Sequence, residues 1–460
     1  MATKKNEAAK NSFVTSVLPW LAGAVGLLVY LATLDHWISL LSLGTVARIS
    51  GWSWLPDLGR PLTSIVLFPF RWLAETWIPL ALNIFTAFGA ALALVVLARS
   101  VALLPYDLTP EDPLRKDRPV SILSTPTAWM PPLIAVMVCG LQLSFWENAT
   151  SATGEIINLL VFAYVIRCLL EFRLHRNQSW LLRSAFLYAV GMANSWVMVG
   201  YFPVFLAAII RVKGIRRFWD WRFMLRMMLW GLAGLCFYWV QPAVQSVSSP
   251  ERLNFWLVLK MHLQSQWSAL LALRAPDFRV LVLTSLLPFL ILAIRWKSHT
   301  VQFTDDSRVG VFLLKASGHF AHAVFFITSI WIALEPTFTP HSLQLGTPML
   351  VYYYLWALIS GYCTGYFLLL GSHRRKRPPT RLPARLTYIL LFVLPLALLW
   401  RNLGEIRMTN GPVVREFAQG LYQDLPGGKS VVLSEEPTQL LLLRAELARH
   451  KNDKDALLLD

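Results

Sequence analysis

The sequence predicts an all-α polytopic membrane protein with about eleven transmembrane helices and a short, truncated α/β tail. Of its 460 residues, 56% are hydrophobic and only 15% are charged, and the mean hydropathy is +0.51. A soluble domain carries about 25% charged residues. The apolar residues fall in runs of about 18 or more, the length that crosses a bilayer as a helix. We therefore predict a transmembrane domain over 1–402 and a tail over 403–460.

The net charge of +16 comes from Lys and Arg residues that cluster in short loops between the apolar runs. With the N-terminus in the cytoplasm, the predicted cytoplasmic segments hold 25 Lys and Arg residues and the opposite loops hold 7. This asymmetry sets orientation in a membrane, so it argues against a nucleic-acid partner. The four cysteines lie inside apolar runs, so neither a disulfide framework nor a zinc spacing is indicated.

Ten apolar segments account for the predicted spans. They lie at about 13–34, 80–104, 128–146, 154–171, 184–210, 223–244, 278–294, 311–334, 350–370 and 386–400. Basic residues flank 184–210 on both sides, which favours a hairpin of two short spans there. Gly191, Asn194 and Ser195 supply its turn. Short spans of this kind are allowed where they line a water-filled cavity.

Two loops and the tail have distinct patterns. The segments 35–79 and 246–277 mix aromatic, apolar and charged residues, which predicts short helices at the membrane interface. From 403 onwards the sequence predicts a strand, a helix with Pro437 in its first turn, and a second strand. A β-α-β unit needs more sheet to bury its faces. We therefore expect a fragment, a split reading frame, or a partner chain that completes the α/β unit.

Three carboxylates stand where predicted spans meet water. Glu147 and Glu155 lie at a polar corner between two apolar runs, and Asp35 follows the first span beside His36. A charge near the hydrocarbon region is costly and is usually retained for a partner or for chemistry. The alternative, that each acid simply lies solvated in the headgroup zone, stays open.

The same corner carries a family resemblance. The stretch FWENATSATGEIINLLVFAYVIRCLLEFR resembles a hairpin of a bacterial polytopic membrane family that is related to protein O-mannosyltransferases, within the C-type (GT-C) glycosyltransferase superfamily. The following hairpin, 179–210, resembles another segment of that family, and a weaker match covers 27–104. The resemblance implies an enzyme that takes a sugar from a polyprenyl-phosphate carrier and places it on an acceptor outside the membrane.

Such a transfer requires a carboxylate for the acceptor's proton and cations for the lipid phosphate. We predict Asp35, Glu147 and Glu155 as catalytic residues. The substrate-binding candidates are Arg48, Arg60, Arg71, His36, Asn194 and Arg274. Family members often carry an Asp-Ser-Gly-Glu motif in the first outer loop, whereas this chain reads ISLLSLGTV over 38–46. An active enzyme and a degenerate relative therefore both stay open.

No cofactor is indicated beyond the lipid-linked sugar donor. His319 and His322 share a helical face, but no third ligand is evident, so a divalent metal lacks support and packing is the alternative. Two other function classes remain: a transporter or lipid-handling protein, which would show paired repeats, and a non-catalytic membrane scaffold. We expect a bacterial inner-membrane location, with a cytoplasmic N-terminus, a periplasmic C-terminus and membrane lipid as a partner.

Overall fold

The computed structural model describes ten segments of the chain. They are residues 13–53, 59–104, 126–214, 218–248, 254–271, 308–343, 348–373, 381–426, 428–450 and 456–459. Over these segments the protein is mostly helical and ends in a pair of short strands.

The helices of the first half follow one π-helical turn at Phe13–Val17. They are α1 (Leu18–Ala32), α2 (Leu43–Ser50), α3 (Pro61–Leu67), α4 (Ile78–Ala102), α5 (Met130–Gly140), α6 (Leu143–Thr150), α7 (Glu155–His175), α8 (Ser179–Asn194), α9 (Trp196–Gly200) and α10 (Phe202–Lys213). A 3₁₀ turn, Phe68–Trp72, follows α3. The short helices α2 and α3 occupy the loop in which the sequence predicts interfacial helices.

The second half continues with longer helices and the tail. Its elements are α11 (Trp221–Leu235), α12 (Phe237–Ser248), α13 (Phe255–Leu271), α14 (Arg308–Ala333), α15 (Leu350–His373), α16 (Arg381–Thr409), α17 (Val413–Gln423), β1 (Ser430–Leu433), α18 (Pro437–Arg449) and β2 (Ala456–Leu459). The helix α13 lies in the second segment for which the sequence predicts an interfacial helix.

The chain is a membrane protein, because several of its helices are long and apolar enough to cross a bilayer. Among the described residues these are Phe13–Ala32, Ile78–Ala102, Trp221–Val247 and Arg385–Gln423, and the bent pair α5–α6 passes the same test as one broken span. This is fewer than the eleven predicted spans. The helix α7 is not among them because it carries four charged residues, and the predicted span 278–294 lies outside the described residues.

The helix α4 lies at the centre of the bundle and packs against α1, α5 and α7. Its alanine-rich sequence is buried along most of its length. The helix α1 approaches it closely because Gly23 faces it: a Cβ atom at Gly23 would lie 3.1 Å from the carbonyl oxygen of Ala91. Small residues permit such approaches between membrane helices, where packing replaces the hydrophobic effect as the driving force.

The predicted third span, 128–146, is broken rather than continuous. The axes of α5 and α6 differ by 72°. Between them Gln142 adopts an extended backbone, and its side-chain oxygen accepts a hydrogen bond of 2.8 Å from the Phe145 N–H at the start of α6. Glu147 therefore lies inside a helix, and the polar corner of the sequence is reduced to the link 151–154.

The structure breaks the helix within 184–210, where the sequence predicts a turn, whereas the hairpin of two short spans stays a prediction. The helix α8 ends at Asn194, and Ser195 is extended, with φ −152° and ψ 127°. The chain then continues through α9 and α10. Gly191, which the sequence places in the turn, stays inside α8.

The tail forms the predicted strand–helix–strand unit, with Pro437 in the first turn of α18 and β1 parallel to β2. The helix α16 passes through the predicted boundary at 402/403 and ends at Thr409. Ala418, Leu442 and Ala445 pack into a core shared with the loop after α1 and the start of α4. One face of the sheet exposes four apolar side chains, namely Val431, Leu433, Leu457 and Leu459. A partner chain that covers it stays a prediction.

Candidate functional site

The carboxylates that the sequence singles out lie at one end of the bundle, where α1 and α6 end and α7 begins. Two amide side chains connect the segments there. Asn83 donates to the carbonyl oxygen of Asp35 (2.8 Å) and accepts from the N–H of Ala152 (2.9 Å). Asn410 donates to the Thr33 carbonyl (2.7 Å) and to Thr150 Oγ1 (2.9 Å). We call this end, with Asp35, Glu147, Glu155 and Glu335, the polar rim.

Asp35 has one carboxylate oxygen with a hydrogen-bond donor and one without a donor among the described residues. Its side chain is almost entirely buried, and Oδ1 accepts a bond of 2.9 Å from the Trp37 N–H. Oδ2 is also buried and has no hydrogen-bond donor within the described residues. Burial raises the pKa of Asp35, and the Trp37 N–H and the nearby His36 oppose that rise. Asp35 is therefore a carboxyl group with a free oxygen and an increased tendency to hold a proton.

Glu155 is the first residue of α7, and each of its two carboxylate oxygens contacts a neighbouring side chain. Oε1 pairs with Arg60 Nη2 at 2.8 Å, and Oε2 accepts from Asn158 Nδ2 at 3.0 Å. Arg60 Nη1 also donates to the Thr153 carbonyl at 3.0 Å. This arrangement fixes the start of α7 against the residue that precedes α3.

Asn194 joins the same network from the end of α8. It donates to Thr63 Oγ1 (2.9 Å) and Asn158 Oδ1 (2.5 Å), and its own Oδ1 accepts from the Thr63 N–H (3.1 Å). The fold therefore brings together three predicted site residues, Glu155, Arg60 and Asn194. Glu155 bonds directly to Arg60, and Asn158 links it to Asn194, so the network forms a framework that holds three helices in position.

Glu147 belongs to a second group, whose other members the sequence analysis missed. His341 lies between two carboxylates: Nδ1 is 3.1 Å from Glu335 Oε2, and Nε2 is 3.6 Å from Glu147 Oε2. The Glu147 side chain is 12% exposed and that of His341 is 40% exposed. The imidazole therefore lies between Glu335 and Glu147 and is itself partly exposed to solvent.

Glu335 is the fixed member of this group. Oε1 accepts from the Ser144 N–H (3.1 Å), from Ser144 Oγ (2.5 Å) and from Gln142 Nε2, all at the start of α6. Burial raises the pKa of Glu335, but the bonds from His341 and Ser144 outweigh it and bring the pKa below its usual value. The bond to Glu335 in turn raises the pKa of His341 to about 8, against the effect of burial.

The backbone of Glu335 is strained, with a positive φ of 48°. A residue other than glycine in this conformation costs about 1–3 kcal/mol and persists only when its surroundings hold it there. A sequence signal for Glu335 does exist, because it directly follows an apolar run, as Asp35 does.

The remaining predicted cations are not drawn into the polar rim. Arg48 lies on α2, where its Nε donates to the Gly44 carbonyl at 2.9 Å. Arg71 is exposed on the 3₁₀ turn, and its guanidinium lies beside Gly51. His36 is exposed and lines a cavity below the tail. Arg274 lies outside the described residues.

The segment that takes the place of the acidic motif carries hydroxyl groups. Ser39 Oγ lies 3.2 Å from Ser42 Oγ and 3.2 Å from Ser151 Oγ, and all three side chains are buried. This cluster ties the loop before α2 to the link before α7. The local role is therefore structural, and the segment offers no carboxylate.

The two histidines of α14 pack against an aromatic ring. The His322 ring stacks on Tyr366 with centroids 3.8 Å apart, and His319 Nδ1 is 2.6 Å from the Tyr366 hydroxyl. Within the described segments, no group of three or more His, Cys, Asp or Glu side chains is arranged to hold a metal ion.

Part of the polar rim lies in a segment that matches a known protein family. Residues 57–217 match the family model described as the protein O-mannosyl-transferase TMEM260 N-terminal domain. This part of the chain is related to protein O-mannosyltransferases. The match covers about a third of the chain and includes Glu147, Glu155 and Arg60, whereas Asp35 and Glu335 lie outside it. No curated protein matched the chain.

Proposed function

We propose that the protein is a glycosyltransferase of the C-type superfamily in a bacterial inner membrane. It would move a sugar from a polyprenyl-phosphate carrier to an acceptor on the periplasmic side. The match to an O-mannosyltransferase domain and the apolar helices support this proposal. The N-terminus would face the cytoplasm and the polar rim the periplasm, in accordance with the distribution of Lys and Arg.

The contact between Glu147 and His341 carries the mechanism. In the proposed reaction the acceptor hydroxyl attacks the anomeric carbon, the bond from that carbon to the carrier phosphate breaks, and the polyprenyl phosphate leaves. Glu147 takes the hydroxyl proton and afterwards releases it to solvent, and the positive charge of His341 beside it favours the ionised form of Glu147 before the transfer. Glu335 keeps the imidazole in place, because it is ionised and held by the start of α6. General-base catalysis of this kind contributes about 10²–10⁴-fold to a rate.

The other predicted residues take supporting roles in this proposal. Asp35, with a free buried oxygen, is the second carboxylate that could orient the acceptor. Glu155, Arg60 and Asn194 hold α3, α7 and α8 around the site. Arg48 and Arg71, which lie outside this framework, are the proposed partners of the lipid phosphate, because guanidinium groups bind phosphate oxygens well. Arg274 is proposed for the same contact with the lipid phosphate, on the basis of its position in the sequence.

A transfer assay with matched variants tests the mechanism. The full-length protein is reconstituted into liposomes with a polyprenyl-phosphate mannose donor and a periplasmic protein extract, and incorporation of labelled sugar is measured. Glu147→Gln should reduce transfer at least about 100-fold, because the amide takes no proton. Glu416→Gln, at an exposed position of α17, is the control. Full transfer by Glu147→Gln, with an unchanged melting temperature in both variants, would contradict the assignment.

A non-catalytic scaffold is the second candidate, and one observation favours it. The segment that carries an acidic motif in the resembling family contains Ser39 and Ser42 here, which bond to each other, and Ser39 also bonds to Ser151. A scaffold would show no transfer in the wild-type protein and no binding of carrier lipid, yet would co-purify with a stable partner. Such a partner could complete the sheet of β1 and β2, as the sequence predicts.

A further inference from the structure

A cavity of about 320 Å³ lies between the membrane part and the tail. One side is formed by the loop after α1 and by the start of α4, and the other by α17 and α18. The size is at the lower end of the range of small-molecule sites, which is about 300–1,000 Å³. The cavity therefore suits a ligand of one or two rings.

Three tryptophan side chains line the cavity. Trp37 and Trp52 are partly buried and pack against the core shared with the tail, and Trp77 is 62% exposed at its opening. The indole N–H of Trp52 donates to Glu75 Oε2 at 3.4 Å, which orients that ring. Aromatic side chains combine a large apolar face with a polar edge. A ligand with an apolar ring face and polar substituents is the natural match.

The polar groups of the wall include both donors and acceptors. Arg415 and Arg449 come from the two tail helices, and Glu75 comes from the membrane part. Arg415 Nε is buried and has no hydrogen-bond acceptor within the described residues. An unbonded buried donor is costly, so a ligand acceptor atom at this position would be stabilised.

The charges at the cavity are close to balance. Arg449 is bonded to Glu446 at 3.1 Å, and that carboxylate is fully buried behind it. The cavity and the layer behind it therefore hold two guanidinium groups, Arg415 and Arg449, and two carboxylates, Glu75 in the wall and Glu446 behind Arg449. A phosphate or carboxylate ligand would gain little from such a wall, because the positive charges are matched in number by negative ones. A neutral ligand with several hydroxyl groups can use donors and acceptors together.

From this geometry we infer that the cavity is a binding site for a neutral saccharide of one or two rings. The Trp faces would contact its C–H surface, and Arg415, Glu75 and His36 would bond to its hydroxyl groups. The identification of this saccharide as part of the acceptor rests on the proposed function. The binding itself does not, because it requires neither donor nor transfer.

Saturation-transfer difference NMR on the full-length protein tests this inference. The protein is held in a detergent without a sugar headgroup, and methyl α-D-mannopyranoside and methyl β-D-galactopyranoside are titrated as probes. We expect saturable transfer to the ring protons of at least one probe. Arg415→Gln and Trp77→Ala should each weaken the apparent affinity at least about fivefold, which corresponds to about 1 kcal/mol. Trp72→Ala, at a site 78% exposed and outside the cavity wall, should leave it unchanged.

Three results would overturn the saccharide site: no saturable transfer to either probe, equal affinities in all three variants, or displacement of the probe by millimolar sodium phosphate. The last would identify an anion site instead. Saccharide binding without glycosyl transfer would leave this site standing and reject the proposed function. Glycosyl transfer without saccharide binding would reject this site and leave the proposed function standing.

Discussion

Protonation of His341 should stabilise the protein, and the effect should disappear at mildly alkaline pH. The ordinary pKa of histidine is 6.5, and the bond to Glu335 raises the pKa of His341 to about 8. A shift of that size corresponds to about 2 kcal/mol. Because the side chain is 40% exposed, we reduce this to about 1 kcal/mol for solvent screening. The contribution is complete below about pH 6.5 and is lost as the pH rises through about 8, since the pKa is raised in the folded state.

The charged groups that face His341 define the variants. They are Glu335, Glu147 and Glu405, and the first makes the largest contribution. NMR titration of ¹³C-labelled histidine, with His341 assigned by its loss in His341→Gln, should give a midpoint near 8 in the wild type. Glu335→Gln should move that midpoint towards or below 6.5, because it removes the main partner of the protonated ring.

Thermal unfolding in detergent between pH 6 and pH 9 supplies the stability measurement. His341→Gln should abolish a difference of about 1 kcal/mol between the two ends of that range. His175→Gln is the control: this residue also contacts a glutamate, Glu171, but lies at the opposite end of the bundle. If His341 titrates at or below 6.5, or if His341→Gln retains the pH dependence, the electrostatic account of this group is wrong.

Two further predictions concern the framework of the polar rim, and both are measured by unfolding in mixed micelles. Gly154→Ala should lower the free energy of unfolding by about 1–3 kcal/mol, because Gly154 has φ 81° and the new Cβ would lie 2.8 Å from Thr63 Cγ2. Gly44→Ala, where the new Cβ has free space, should be neutral or stabilising, and equal losses in the two variants would contradict the conformational argument. Arg60→Leu should lower the free energy of unfolding by about 3–5 kcal/mol, since it leaves the buried Glu155 carboxylate without its cation. The double variant Arg60→Leu/Glu155→Leu should recover part of that loss, and a strictly additive result would show that the ion pair contributes nothing.

Local patterns in the sequence anticipate much of the fold. Within the described segments the apolar runs become helices, the break at Asn194–Ser195 lies where polar residues interrupt a run, and the tail forms its strand–helix–strand unit. These features depend on neighbouring residues, so hydropathy and turn chemistry predict them. The bend at Gln142 was not predicted, because an uncharged polar residue within an apolar run gives no clear signal of a helix end.

The candidate site was predictable only in part. Glu155 was chosen for its position at the end of an apolar segment, Arg60 as a cation for the lipid phosphate and Asn194 as part of a predicted turn, and the structure joins them in one network. Glu147 was chosen for the same reason as Glu155. Its partner His341 was not, because the residues that separate the two in the chain contain no pattern that relates them.

The sequence by itself determined that this is a helical membrane protein with acidic residues at span ends and a short α/β tail. Hydrophobic length and periodicity are local properties, and a bilayer turns them directly into helices. Only the tertiary structure decided which acids meet which partners: Glu155 meets Arg60, whereas Glu147 meets His341 and Glu335. It also brought α17 and α18 against the loop after α1 to enclose a cavity. Such contacts join distant parts of the chain, and the packing of whole helices fixes them.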